Sequence, residues 1–334
     1  MKFQALTENL LVQAAGILSE RHILERNVHP ELPSEYENPH IALEVLSQQF
    51  KQTNISGIAA LSEDELVGFL LFRKKMDSSK GRQIWVDYES FAIKASEDPN
   101  LYRFMYATAA EQWVREGYFD HYIVVPNGNS EVVEAWLKLG FAYEQVHAML
   151  DISVVPSKEV DCKELTIRLA NETDRQKIRE LSTLIFEHQV KAPVWSPLLP
   201  EDVERLQDGY EGMIEDETVD LWVAYEDEKM AGFQAYWEVN SDLSKKPQMM
   251  TPYKSVELGV GGTVTDMRGK GVGKLLTTVG INALKKKETT VVVTDWRMTN
   301  IQSSSFWPKQ GFKPIAYRLS RKIDPAISWA SPTK

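Results

Sequence analysis

Arg268-Gly269-Lys270-Gly271-Val272-Gly273-Lys274 is the stretch on which the reading of this chain turns. It follows Ser255 to Thr265, which reads as a long strand. It opens Gly271 to Lys287, where Leu275, Leu276, Val279 and Leu284 recur at helical spacing. Glycines at a strand-to-helix turn let the backbone approach a ligand closely and adopt conformations that side chains forbid. The free N–H groups of the helix start then face an anion, with the helix dipole behind them. Arg268, Lys270 and Lys274 add positive charge, so a pyrophosphate suits the turn. Two familiar phosphate loops are excluded. A Walker A loop needs Gly at 268 and Ser or Thr at 275, where Arg268 and Leu275 stand; a dinucleotide fingerprint starting at Gly269 needs a third Gly at 274, which is Lys274.

Around this loop the second half of the chain reads as an ordered α/β unit. Leu165 to Ala170 alternates as a strand. Asn171, with Asp174 three residues on, starts a helix that continues through Ile178, Leu181, Leu184 and Ile185. Leu221–Tyr225 and Ala231–Trp237 flank an acidic turn as a hairpin. Thr290–Thr294 is a buried strand, Ile301–Gln310 a short helix, and Pro314–Lys322 a closing strand. The class is α/β, with a mixed sheet.

The first half repeats parts of the second. Glu63-Asp64-Glu65-Leu66-Val67-Gly68-Phe69-Leu70 parallels Asp227-Glu228-Lys229-Met230-Ala231-Gly232-Phe233-Gln234, and Asn129, Trp136, Gly140 and Phe141 parallel Asn300, Trp307, Gly311 and Phe312 at identical spacing. The order is kept in both halves, which indicates a duplicated domain. The boundary falls in Asp151–Lys163, so the expected domains are 1–155 and 164–334. Length agrees, since one core rarely grows beyond roughly 250–300 residues and the chain has 334.

Composition narrows the function classes. A net charge of -10 argues against nucleic acid as a partner. No run of apolar residues is long enough to span a membrane, and the N-terminal stretch, interrupted by Glu8, Asn9 and Gln13, is not a signal segment. A single cysteine, Cys162, permits no internal disulfide and fits a reducing, cytoplasmic setting. No metal is expected.

Arg268, Gly271 and Gly273 fill the pattern R/Q-x-x-G-x-G/A. With Asn300, Ser303, Phe306, Trp307, Gly311 and Phe312 they make the second half, from about Leu165 to Ile323, resemble the GNAT N-acetyltransferase superfamily. The resemblance implies two tandem GNAT-like folds, acetyl-CoA as cofactor, and a primary amine of a small molecule or peptide as acceptor. It implies that Arg268, Gly269, Lys270, Gly271, Val272, Gly273 and Lys274 hold the pyrophosphate. It also implies that backbone groups of Gly262, Thr263 and Val264 hold the acyl carbonyl and pantetheine arm, and that Asn300 and Trp307 line the cofactor. The first half shares the late motif, but its counterpart of the loop, Phe91 to Tyr102, has no glycine and carries Glu97 and Asp98. It resembles a degenerate copy. Tandem members such as mycothiol synthases are similar in layout, though nothing points to that substrate.

The family's chemistry needs a base for the amine and often uses a tyrosine as acid to the leaving thiolate. Glu257, eleven residues before Arg268, stands where some members carry a base; the competing reading is a solvated sheet residue. The tyrosine position holds Trp307, whose indole N–H donates a hydrogen bond but is no usable acid at neutral pH. Tyr253 and Tyr317 are candidate substitutes. His188 and the aromatic, proline-rich stretch to Tyr210, including Trp195, are candidates for the acceptor rim, and Cys162 is disfavoured as a nucleophile. A coenzyme A-binding pseudoenzyme, acting as sensor or scaffold, is the alternative function.

Overall fold

A computed structural model describes residues 1–77, 81–157, 165–239 and 248–330. Its contacts divide the chain into two compact units. In chain order the elements are β1 (Lys2–Ala5), α1 (Leu11–Val28), α2 (Pro39–Phe50), β2 (Ile55–Ser62), β3 (Glu65–Asp77), β4 (Gly81–Val86), β5 (Phe91–Ile93), α3 (Leu101–Arg115), β6 (Asp120–Pro126), α4 (Ser130–Leu137) and β7 (Ala142–Asp151). There follow β8 (Thr166–Leu169), α5 (Arg175–Leu181), α6 (Leu184–Gln189), α7 (Pro200–Gly212), β9 (Val219–Glu226), β10 (Lys229–Glu238), β11 (Val256–Thr263), α8 (Val272–Lys286), β12 (Val291–Arg297), α9 (Ile301–Lys309) and β13 (Lys313–Lys322).

The first unit runs from Met1 to His147 and takes in the chain from Pro314 onward, so β13, at the end of the second repeat, is a strand of the first unit. It pairs antiparallel with β6, from Ala316 opposite Pro126 to Lys322 opposite Asp120. The reason is visible in its side chains. Leu319 is buried in the first unit's core, and Arg318 bonds Glu144 at 2.8 Å. The units therefore differ from a simple cut of the chain near residue 156. The second unit comprises Ala148–Ser241 and Tyr253–Lys313, the segment Asp242–Pro252 being counted with the first.

Each unit holds the same arrangement of strands. In the first, β2 and β3 form a hairpin, β5 pairs with the Gly68–Leu70 segment of β3, and β4 runs parallel to β6 over Gln83–Val86. In the second, β9, β10 and β11 are antiparallel and β11 is parallel to β12. The repeated acidic turns have left-handed residues, Glu63 and Asp64 in one and Asp227 in the other. The repeated glycines stand where strands crowd. A Cβ on Gly68 would lie 2.8 Å from the Ile93 side chain, and one on Gly232 would lie 2.6 Å from the Gly262 carbonyl.

The repeated Asn-Trp-Gly-Phe motif has a structural explanation in both copies. Asn129 caps α4 by accepting the Glu131 N–H, and Asn300 caps α9 by accepting that of Ser303. Trp136 meets Phe141 edge-on at 5.5 Å, and Trp307 meets Phe312 edge-on at 5.5 Å. Gly140 and Gly311 adopt positive φ after their helices, the usual way to end one.

The single helix expected from Asn171 to Ile185 is divided. Asn171 and Asp174 form a capping box, but the buried Ser182 bonds back to the Arg179 carbonyl at 2.7 Å, and α5 stops there before α6 begins. The strand expected to reach Thr265 ends at Thr263. On α8, Leu276 and Leu284 are buried as expected, while Leu275 and Val279 are half-buried.

Candidate active site

The site is built from the second unit alone. β11 is paired with β12 at Val256–Val292 and Glu257–Val293, Thr294 Oγ1 donates to the Leu258 carbonyl at 2.9 Å, and among the described residues no backbone register joins the two strands beyond that point. The divergence begins at a bulge. Ala235 faces Val260 and Tyr236 faces Leu258, so Gly259 is the extra residue. Gly259 has to be glycine here, because a Cβ would lie 1.9 Å from the Trp237 indole. The gap so opened is flanked by the backbone of β11 from Val260 to Thr263.

The donors along that backbone can be assigned. Val264 N–H bonds the Ala231 carbonyl at 3.0 Å and is committed to β10. In a ladder the N–H and C=O of successive residues alternate sides, so Gly262 also faces β10, and Gly261 and Thr263 face away. The Thr263 carbonyl does turn away from β10, since it accepts a bond from Arg268 Nε at 3.1 Å. Of the three backbone positions expected to meet an acyl carbonyl, Thr263 faces the gap and Gly262 and Val264 do not. Gly261, which the sequence reading did not single out, faces the gap as well.

The loop that follows has the geometry of an anion cradle. Gly269 and Gly271 have φ of +79° and +88°, and a Cβ on either would meet no atom within 4 Å. The residues are therefore glycine for backbone conformation, and the space above them is open. Gly271 is the N-cap of α8 and has no side chain to cap with. The N–H groups of Val272, Gly273 and Lys274, which have no partners within the helix, are left for an outside acceptor. Gly273 serves another purpose, for its Cβ would come 3.3 Å from the Phe306 ring; glycine lets α8 and α9 approach. Arg268 is tied back to β11, whereas Lys270 and Lys274 are exposed beside the loop. Lys270 lies 3.9 Å from Glu226.

A buried network sets the loop against the sheet. Tyr236 donates to Gln234 at 2.8 Å, Gln234 Nε2 donates to Thr277 at 2.9 Å, and Thr277 donates to the Gly273 carbonyl at 2.8 Å. Burial pushes the Tyr236 hydroxyl far above its usual range and keeps it a neutral donor. Gly280 makes room for that ring, because a Cβ there would lie 2.6 Å from it.

Glu257 lies opposite Trp237 and is half-buried. Trp237 Nε1 donates to its carboxylate at 2.9 Å, so the carboxylate is held at the point where the strands part. Trp237 was missed in the sequence; its only signal was the glycine two residues past Glu257 on the partner strand. Asn300 caps α9 and is buried, and His188 at the end of α6 reaches it, Nε2 to Oδ1, at 3.3 Å. Trp307 is 8% exposed and packed between Phe306 and Phe312. Its ring meets Phe312 in the same edge-on packing that Trp136 makes with Phe141 in the first unit. Tyr253 is exposed ahead of β11, and Tyr317 belongs to the first unit, edge-on to Tyr143. Tyr210 is core, packed on Phe233, while Trp195 is 71% exposed. Cys162 lies outside the described residues.

The first unit lacks this geometry at two points. Its loop carries a carboxylate at the helix start, where Asp98 accepts the Asn100 N–H at 2.8 Å. One turn of α1 also ties the two sides of the corresponding gap together. Arg21 donates to the Phe91 carbonyl on β5, and Glu25 accepts the Gly128 N–H after β6 at 2.8 Å. Both side chains are buried, and a Cβ on Gly128 would lie 2.4 Å from Glu25.

An open anion cradle at the start of α8 thus lies beside a sheet that parts at a bulge. Comparison with known proteins is specific. Residues 177–312 match the acetyltransferase (GNAT) family. No curated protein matches the chain. Among solved structures it is similar to a tandem GNAT protein from the clavulanic acid biosynthesis pathway (13% identity, TM-score 0.50, 100% of this chain and 99% of that one). It is also similar to a GCN5-related N-acetyltransferase from Sphaerobacter thermophilus (11%, 0.57, 96% and 95%). At such identities the likeness is one of fold. Residues 177–312 are a GNAT-family domain, and the chain carries two GNAT-like folds in tandem.

No helix of the described residues is long and apolar enough to cross a membrane.

Proposed function

We propose that the chain moves an acetyl group from acetyl-CoA to a primary amine of a small molecule or peptide by direct attack, with one cofactor per chain, held by the second unit. The observation that carries this reading is the side-chain-free N-terminus of α8, with two left-handed glycines, set beside the point where β11 leaves β12. The donor set fits a pyrophosphate, with three first-turn N–H groups backed by the helix dipole and two exposed lysines. Acetyl-CoA, when bound there, would supply the activated thioester.

The chain's own residues do the rest. N–H groups of Gly261 and Thr263 are available to an acyl oxygen, and preorganised donors of this kind stabilise the charge that develops on it. Glu257, steadied by Trp237, takes the proton that the acceptor's ammonium loses. The thiolate, with an ordinary pKa of about 8.5, leaves without an acid from Trp307. The first unit acts as a structural partner, its gap closed by Arg21 and Glu25.

Trp307 favours a second reading, a coenzyme A-binding sensor or scaffold, because the family's usual acid is replaced by a packed indole. Release of free thiol from acetyl-CoA across a panel of primary amines separates the two. Turnover with any amine supports the transferase, and tight binding without turnover on the whole panel supports the sensor.

A further inference from the structure

Asn300 Oδ1 accepts two bonds. One is the cap bond from Ser303 N–H at 3.1 Å, which only the oxygen of the carboxamide can accept. This fixes the amide with its oxygen toward α9. His188 Nε2 lies 3.3 Å from the same oxygen, so the imidazole is the donor and carries hydrogen on Nε2. The contact joins residues 112 apart in sequence. It also spans the gap. At the other end of the same helix turn, Leu184 packs where a Cβ on Gly262 would lie 3.0 Å away. α6 thus crosses from β11 to the start of α9.

The first copy supplies a comparison. There the matching helix turn is Arg21–Glu25, and Glu25 goes to the Gly128 backbone, leaving the cap Asn129 with its helix bond to Glu131. The imidazole tie to the cap residue is seen in the copy that carries the glycine loop.

We propose that His188 is a positioning residue for the cofactor. By holding Asn300 Oδ1 it aims the Asn300 NH2 group into the gap, where that group donates to an amide carbonyl of the pantetheine arm. This rests on the coenzyme A reading above. It goes beyond that reading in making an α6 side chain part of cofactor binding.

The test is calorimetry of coenzyme A with the full chain, which needs no acceptor. His188→Ala should weaken binding about three- to tenfold, the scale of one hydrogen bond, with an unchanged melting temperature. His188→Gln, whose Nε2 can donate in place of the imidazole, should restore most of the affinity. Asn300→Ala should weaken binding as well, and adding His188→Ala to it should cost nothing more, because His188 acts through Asn300. Unchanged affinity in His188→Ala, losses that add in the double variant, or no rescue by Gln each overturn the proposal while leaving the cofactor reading intact. A wild-type chain that does not bind coenzyme A overturns both.

Discussion

Replacing Gly271 by Asp separates the conformational from the electrostatic requirement of the loop. Gly271 has φ +88° and ψ 0°, and no atom lies within 4 Å of a Cβ built there. The fold therefore meets no clash, only the left-handed penalty of about 1–2 kcal/mol. For a unit of this size that is roughly 2–8 °C of melting temperature. The Asp side chain cannot recover this by capping, because capping requires an extended N-cap backbone. Its charge is the larger effect on binding. Two unit charges about 5 Å apart oppose each other by about 3 kcal/mol at an effective dielectric of about 20. Salt reduces this toward 2 kcal/mol at an exposed loop, which is roughly 30- to 150-fold in affinity. Gly271→Ala carries the same strain without the charge and should lose no more than about threefold. Calorimetry with coenzyme A at two salt concentrations, alongside thermal melts, reads both quantities. Equal affinity of the Asp variant and wild type would refute the pyrophosphate assignment. An Ala variant as weak as the Asp variant would show that backbone conformation, and not charge, is what the loop supplies.

Other expectations follow from single features. Glu257→Gln should lower turnover by about 10²-fold or more at unchanged coenzyme A affinity, and steady-state rates beside binding isotherms check it. Ser96→Gly with Asp98→Gly, which opens the first unit's loop, should leave calorimetric stoichiometry at one cofactor per chain, because Arg21 and Glu25 still close the gap; a second site would refute that closure. Asp174→Asn should destabilise the second unit by about 2–3 kcal/mol near neutral pH. Burial alone would raise the Asp174 carboxyl, but bonds from Arg168, Tyr225 and the Asn171 N–H hold it below its usual range. That stability is present above the ordinary carboxylate pKa of about 4 and is lost as pH falls through the lowered folded value. Denaturant titrations should show the gap between wild type and variant closing below about pH 4.

The loop was legible in the sequence because its constraints are local. Positive φ at Gly269 and Gly271, a helix start without a capping side chain and adjacent lysines are all properties of a few consecutive residues. So was the duplication, since Asn129 with Trp136 and Asn300 with Trp307 cap and pack within single helix-strand units. Trp307 shows the limit of such reading. Its place in a family pattern suggested a ligand contact, but whether an aromatic ring faces a ligand or Phe312 depends on what packs against it. The bulge at Gly259, the facing of Gly261 and Thr263 rather than Gly262 and Val264 toward the gap and the Trp237–Glu257 bond depend on strand register, which is set by pairing between segments twenty or more residues apart. The addition of β13 to β6, the closure of the first gap by Arg21 and Glu25 and the meeting of His188 with Asn300 join residues still more distant. Hydrogen bonds of that range leave no period or spacing in the chain, because nothing local requires them; only the folded backbone brings the partners within reach.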